Sequence, residues 1–119
     1  MRQKEGGLDR SSVVINSEFL GSGSNELGSK LMGSFFRKIW ASAQKPDRII
    51  FYNSGVKLLA QGSPVLDAME ALANAGVDLI ACGTCVAFFG LQDKLAFGRV
   101  STMEEIASII TGSAGTVTV

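Results

Sequence analysis

The chain has 119 residues, and 46% of them are apolar, so it is long and apolar enough to build one hydrophobic core. Its 11 basic side chains balance 11 acidic ones, which leaves no positive excess for binding nucleic acid. Histidine is absent, which excludes Ser-His-Asp and Cys-His catalytic groups within one chain and any imidazole metal site. We therefore expect neither a metal site nor a cofactor.

Residues 1–11 are polar and contain adjacent glycines, which predicts a flexible leader or linker ahead of a domain over residues 12–119. This segment lacks the apolar centre of a signal peptide. No apolar run approaches the roughly 18 residues that a membrane-spanning helix needs. We therefore expect a cytoplasmic protein that binds neither membrane nor nucleic acid.

The first strand is predicted over residues 12–17, where Val13-Val14-Ile15 is a β-branched apolar run. The glycine-rich segment 21–28 follows. It is either a phosphate-binding loop or, as we favour, a turn that passes close to its neighbours. Ser24 is the predicted N-cap of the longest helix. The apolar stripe of that helix runs through Leu27, Leu31, Phe35 and Ile39, with Met32, Phe36 and Trp40 beside them.

The second strand is predicted over residues 49–52, followed by a turn at Asn53-Ser54-Gly55. Residues 56–60 are predicted to form a short helical turn. Ser63-Pro64 then predicts the start of the second helix, with serine as the cap and proline at the first helical position. Gly76 is predicted to end that helix at its C′ position.

The third strand is predicted over residues 77–81, and it leads into Cys82-Gly83-Thr84-Cys85 with a helix beginning near Cys85. A short strand is predicted over residues 98–100, and a last strand over residues 116–119. Between them, Thr102 and Glu105 match a capping box. The helix that this box starts has an inward face made of Ile106, Ile109 and Ile110.

Strands and helices alternate along the chain, which predicts an α/β fold with a mostly parallel sheet and helices on both of its faces. Sites in such sheets lie beyond the carboxyl ends of the strands. Three predicted loops end there: Asn16-Ser17, Asn53 to Gly55, and Cys82 to Cys85. We therefore expect these three loops to be neighbours in space.

The dithiol Cys82-Gly83-Thr84-Cys85 is the segment best equipped for chemistry. A thiol becomes a good nucleophile when it ionises, and the ordinary pKa of cysteine is about 8.5. We place Cys85 at or just before a helix N-terminus, where unpaired amides favour an anion, and Cys82 at the last strand position. Gly83 permits a tight turn, and Thr84 could cap the helix or donate to a sulfur. The alternatives are inert packed thiols and a turn switched by a disulfide.

Other side chains near the predicted loops are candidates for binding. Lys57 could place a positive charge beside the thiols, or it could be an ordinary solvated lysine. Asn53 could hydrogen-bond across the strand ends, or it could only form the turn with Ser54 and Gly55. The aromatic pair Phe88-Phe89 could line a thiol pocket, pack in an oligomer interface, or belong to the core.

The segments NSGVKL, which includes Lys57, and CGTC, residues 82–85, resemble the DsrE-like domain of YedF-type proteins. The longer segments VVINSEFLGSGSNELGSKLM and FFGLQDKL are also similar, so the resemblance covers residues 12–119. It places the chain near the superfamily of DsrE, DsrF and TusD. It implies a DsrE-like, flavodoxin- or Rossmann-like three-layer sandwich with about five mostly parallel strands, and frequent homo-oligomers.

The resemblance also implies a role in sulfur relay linked to selenium metabolism, in which a cysteine carries a persulfide between proteins. In related subunits of the TusD type the acceptor cysteine opens the helix after the third strand, and Cys85 matches that position. Cys82 has no certain counterpart there. The implied partner is a TusA-like sulfur carrier or another persulfide donor. YedF-type proteins have a TusA-like domain with a Cys-Pro motif before this one, and the present sequence has no Cys-Pro pair.

Three functional hypotheses follow. In the first, the chain is a sulfurtransferase-like carrier of sulfur or selenium, in which Cys85 takes up a persulfide and Cys82 resolves it. In the second, it is a non-catalytic oligomeric module that docks a TusA-like carrier or a small anion, with the C-x-x-C segment as a redox lock. A thioredoxin-like reductase fits less well, because the usual aromatic and proline residues around C-x-x-C are missing.

Overall fold

The computed structural model describes residues 11–112 and 115–119. Its five strands form one sheet, and every pair of neighbouring strands is parallel. Each strand lies within two residues of its predicted position. Of the predicted leader, residues 1–10 lie outside the described residues, and Ser11 begins the first strand. The strands are β1 (Ser11–Ile15), β2 (Arg48–Phe51), β3 (Asp78–Cys82), β4 (Arg99–Ser101) and β5 (Gly115–Thr118). Their order across the sheet is β4-β3-β2-β1-β5.

Helices cover both faces of the sheet, which confirms the predicted three-layer α/β architecture. They are α1 (Asn25–Ala41), a 3-10 helix (Asn53–Leu59), α2 (Leu66–Asn74), α3 (Gly83–Phe88) and α4 (Met103–Gly112). The larger core cluster packs α1 and α2 against alternate strand residues, including Ile15, Ile49, Phe51 and Leu79. The residues between these point to the opposite face, where Ile106 of α4 packs on Val14, Ile50, Ile80 and Cys82. None of the helices in the described residues is long and apolar enough to cross a membrane.

Helix α1 begins as predicted, but it buries only part of the predicted apolar stripe. The Ser24 hydroxyl accepts a hydrogen bond from the Leu27 N–H at 3.1 Å, so Ser24 is the N-cap. Leu27 and Leu31 at one flank and Trp40 at the other are exposed, although the sequence placed them on the apolar stripe. Met32 and Phe36 of the predicted stripe are buried, and Phe35 and Ile39 pack partly buried against the same core. The buried face also includes Gly28 and Gly33, which the stripe did not.

The glycine-rich segment 21–28 has a packing role. Gly28 is buried on α1 because the chain just before the helix folds back over it, and the Leu20 N–H donates to the Gly28 carbonyl at 3.1 Å. A Cβ at Gly28 would lie 2.8 Å from the Cβ of Phe19, closer than side-chain carbons approach. This close approach favours the turn over the phosphate-binding loop.

The second helix starts two residues later than the Ser63-Pro64 pair predicts. The Ser63 hydroxyl accepts from the Val65 N–H at 3.2 Å, which closes a turn ahead of the helix. The N-cap position falls on Val65, and Leu66 is the first helical residue. The predicted end of this helix is confirmed, since Gly76 follows the C-cap with a φ of 93°.

An ion-pair network ties β3, β4 and α4 together. Arg99 Nε lies 2.9 Å from Asp78 Oδ1, and Arg99 Nη2 lies 3.0 Å from Glu105 Oε2. The predicted capping box is half formed, because the Thr102 hydroxyl accepts from the Glu105 N–H while the Glu105 carboxylate turns to Arg99 and Ser101. Hydrogen bonds from Arg99, and then from Ser101, lower the pKa of Glu105 to about 2.

The network predicts an acid-dependent part of the folding stability. Because the folded state lowers the pKa of Glu105, its stabilising effect is present above the ordinary pKa of 4.5 and is lost as the pH falls toward about 2. We expect Glu105→Gln to lower the urea midpoint at pH 7 and to match the wild type near pH 2. Glu104→Gln, at the neighbouring position in the same helical turn, is the control. A Glu105→Gln difference that does not change with pH would contradict this role.

Candidate functional site

The carboxyl ends of β1, β2 and β3 meet at one edge of the sheet, and the three loops that follow them are in contact. The Asn53 N–H after β2 donates to Cys85 Sγ at 3.0 Å. The Glu18 N–H after β1 donates to the hydroxyl of Ser54 at 3.1 Å. The structure thus brings the predicted turn and the dithiol together, as parallel strands of similar length require.

The two cysteines are free thiols in different environments. Cys82 is the last residue of β3, only 1% exposed, and it packs on the α4 side of the sheet. Cys85 is partly buried and contacts both core clusters. Only Cys85 therefore presents a sulfur to molecules from outside.

Cys85 lies in the first turn of helix α3, near the predicted position, but its pKa shifts in the direction opposite to the expected one. Helix α3 begins at Gly83 with Cys82 as its N-cap, so Cys85 is the third helical residue. Burial raises the pKa of Cys85, and this outweighs the Asn53 N–H, which lowers it. The hydrogen bond with Cys82 raises the pKa of Cys85 further, because it favours the protonated thiol.

The corner at Asn53 to Gly55 has a backbone that only some residues accept. Asn53 has a φ of 51°, in the left-handed region, and its side-chain oxygen accepts from the Ser54 N–H at 2.8 Å. Gly55 passes so close to the end of β1 that an added Cβ would lie 2.4 Å from the Ile15 carbonyl oxygen. These two residues hold the donor N–H against the sulfur.

A pocket of about 260 Å³ opens at Cys85. Phe88 and Phe89 form its apolar walls, with ring centroids 5.1 Å apart in an edge-to-face arrangement. Phe88 is 81% exposed, so core packing does not explain it. The remaining lining comes from the predicted candidates Asn53 and Thr84.

Lys57 lies near this pocket but does not line it. Its ammonium is 3.4 Å from Glu18 Oε2 and 4.6 Å from the centroid of the Phe89 ring. A second pocket of about 260 Å³ is lined by Glu18, Lys57 and Phe89 together with Leu58, Ala60, Gln61, Gly62, Ser63, Pro64 and Leu91. Lys57 is therefore separated from the Cys85 pocket by one aromatic ring that borders both.

Glu18 is the site residue that the sequence did not single out. It follows β1 by three positions. The only indication of its role in the sequence is its charge, which is opposite to that of Lys57. Gly83 has a structural role, because an added Cβ would lie 3.1 Å from the Ser101 carbonyl and from Val100. Over residues 11–112 and 115–119, no group of three or more Cys, Asp or Glu side chains could hold a metal ion.

Comparisons with known proteins match nearly the whole chain. The protein YchN from E. coli has 18% identity and a TM-score of 0.65, covering 93% of this chain and 99% of its own. The protein MTH1491 from Methanobacterium thermoautotrophicum has 22% identity and a TM-score of 0.67 with the same coverage. The protein BT1422 from Bacteroides thetaiotaomicron has 16% identity and a TM-score of 0.60, with coverage of 92% and 95%. At these identities the likeness shows the fold.

No match was found among curated protein sequences. The model of the DsrE/DsrF-like family matches residues 20–118, which is well over half of the chain. That match begins in the loop that carries Glu18 and runs through the corner, the dithiol and the last strand. This chain therefore belongs to the DsrE/DsrF-like family.

Proposed function

We propose that the chain is a sulfur-relay domain in which Cys85 carries a persulfide. The observation that carries this proposal is the position of its sulfur, which borders a pocket of about 260 Å³ and accepts the Asn53 N–H at 3.0 Å. An N–H aimed at the reacting atom stabilises negative charge there as it develops. Cys82 lies beneath, within hydrogen-bonding reach of Cys85 and closed to external reagents.

The transfer step balances without an external oxidant or reductant. Cys85 attacks the outer sulfur of a donor R–S–SH as the thiolate. A new S–S bond forms at Cys85, the donor S–S bond breaks, and R–S⁻ leaves with the bonding electron pair. R–S⁻ then takes up the proton that Cys85 lost. The product Cys85–S–SH passes its outer sulfur to an acceptor thiolate by the same exchange, or Cys82 attacks Cys85 Sγ and releases sulfide with a disulfide left behind.

The raised pKa of Cys85 fits a carrier that stays inactive until it meets its donor. Thiolate nucleophilicity increases with the pKa of the thiol. The thiolate of Cys85 is therefore less abundant than that of a low-pKa cysteine, but it is a stronger nucleophile. A donor that brings N–H groups or a positive charge to the pocket would favour the thiolate and ionise Cys85 in place.

We infer that the donor is a TusA-like carrier or another persulfide donor, and that selenium is the alternative cargo. We further infer that the domain is of the YedF type, that it is cytoplasmic, and that the protein forms homo-oligomers.

The proposal predicts a sulfur adduct at one residue. After incubation with a persulfide donor and removal of the excess, intact-mass spectrometry should show a gain of one sulfur atom on the wild type. Cys85→Ser should show none, while Cys82→Ala should keep the adduct. Thr84→Ser, which changes the pocket without touching either sulfur, is the matched control. A wild type without an adduct would rule the carrier function out.

A second candidate function is a binding module in which the dithiol is only a redox lock. The almost fully exposed Phe88 beside the pocket favours it, because large exposed aromatic residues are typical of docking surfaces. This function predicts that Cys85→Ser binds a TusA-like carrier as tightly as the wild type. It also predicts that the wild type gains no sulfur, so the same mass measurement separates the two functions.

A further inference from the structure

The second pocket and the charge at its edge are left unused by the proposed function. Lys57 is 41% exposed and Glu18 29% exposed, so both charges are open to solvent. This ion pair contributes little to the folding stability, because it lies on the surface. It does place one cation beside a cavity that borders the thiol pocket through Phe89 alone.

The geometry points to a two-part site for a small anionic persulfide, and we propose that Lys57 binds the carboxylate of a low-molecular-weight thiol whose sulfane sulfur reaches Cys85. Each pocket of about 260 Å³ is smaller than the about 300–1,000 Å³ of a whole drug-sized ligand. Two adjoining small pockets suit two ends of one short molecule. The inference rests on the proposed function for its reaction, but binding at Lys57 can be measured separately.

The Phe89 ring connects the two ends of such a donor. One side of it meets the thiol pocket with Phe88, and the Lys57 ammonium lies 4.6 Å from its centroid. An organic chain lying across the ring is held by apolar contact, and its carboxylate meets the ammonium.

Glu18 sets the affinity of the cation for such an anion. In the free protein its carboxylate occupies Lys57 at 3.4 Å, so an entering carboxylate must displace it. This predicts opposite effects at the two ends of one ion pair. Loss of the cation weakens donor binding, and loss of the competing carboxylate strengthens it.

The kinetic test uses mercaptopropionate persulfide and its uncharged amide as donors. With the acid, Lys57→Gln should raise KM about tenfold with kcat unchanged, as expected when a charge-assisted contact is lost. Lys57→Arg should restore most of the binding, and Glu18→Gln should lower KM severalfold. With the amide, none of these variants should differ from the wild type. Lys30→Gln, an exposed lysine on α1, is the control for net charge.

A binding test keeps this inference separate from the carrier function. The unreactive analogue methylthiopropionate, with no sulfur to transfer, should shift the NMR signals of Phe89 in the wild type and not in Lys57→Gln. Binding of the analogue at Lys57, together with no sulfur adduct on Cys85 after incubation with mercaptopropionate persulfide itself, would overturn the carrier function and keep the anion site. Equal KM values for acid and amide, or equal effects of Lys57→Gln on both, would overturn the anion site and keep the carrier.

Discussion

Gly55→Ala is expected to lower the free energy of unfolding by about 3 kcal/mol, at the upper end of what overpacking costs. The added Cβ would meet the Ile15 carbonyl oxygen at 2.4 Å, and no side-chain rotation moves a Cβ away from a backbone oxygen. That carbonyl already accepts the Tyr52 N–H at 3.1 Å, and Ile15 is fully buried. Either the corner or the end of β1 must move, and both moves break hydrogen bonds.

The same substitution should change the chemistry of the site. Gly55 is two residues after Asn53, so a displaced corner withdraws the N–H that donates to Cys85 Sγ. Urea unfolding gives the stability, and the alkylation rate of Cys85 in the native state reports the corner. Gly112→Ala is the control, since a Cβ there meets nothing within 4 Å and alanine favours a helix. An unchanged urea midpoint for Gly55→Ala would show that the contact relaxes freely.

The sheet can be predicted because the sequence pattern that indicates its strands is local. Short β-branched runs separated by helices leave few topologies, and parallel strands place their carboxyl ends at one edge. That rule alone predicts that the loops containing Asn53 and Cys85 are neighbours in space. The class of fold and the contact between these loops therefore follow from pattern and from the rules for parallel connections.

Details that depend on non-local contact could not be predicted from local pattern. The stripe on α1 was assigned to its large side chains, but the buried line includes Gly28, which has no side chain to reveal its face. It is buried because Phe19, outside the helix, lies against it. The direction in which the pKa of Cys85 shifts cannot be predicted for a similar reason. The amides of a helix end are visible in sequence, whereas the burial that outweighs them is a property of the packed structure.

Alkylation by iodoacetamide under native conditions is expected to modify Cys85 and leave Cys82 unmodified. Cys85 borders an open pocket, while Cys82 is 1% exposed and reacts only when the structure opens locally. Cys85→Ser should therefore slow the labelling of the native protein by about a hundredfold or more, the size of a local opening equilibrium. Peptide mapping identifies the labelled residue, and labelling in urea confirms that both thiols react when exposed.

Removal of Cys82 should make Cys85 more reactive at neutral pH. Its hydrogen bond and its charge both raise the pKa of Cys85, so Cys82→Ala should lower that pKa and shift the pH profile of alkylation toward neutrality. In the wild type the alkylation rate should keep rising above the ordinary pKa of cysteine, because the pKa of Cys85 is raised. The pKa of Cys85 is higher in the folded than in the unfolded protein, so this thiol contributes to the folding stability below its unfolded pKa. That contribution is lost as the pH rises through the folded pKa. If the alkylation profile of Cys82→Ala coincided with that of the wild type, the two sulfurs would not be coupled, and Cys85 would act without its buried partner.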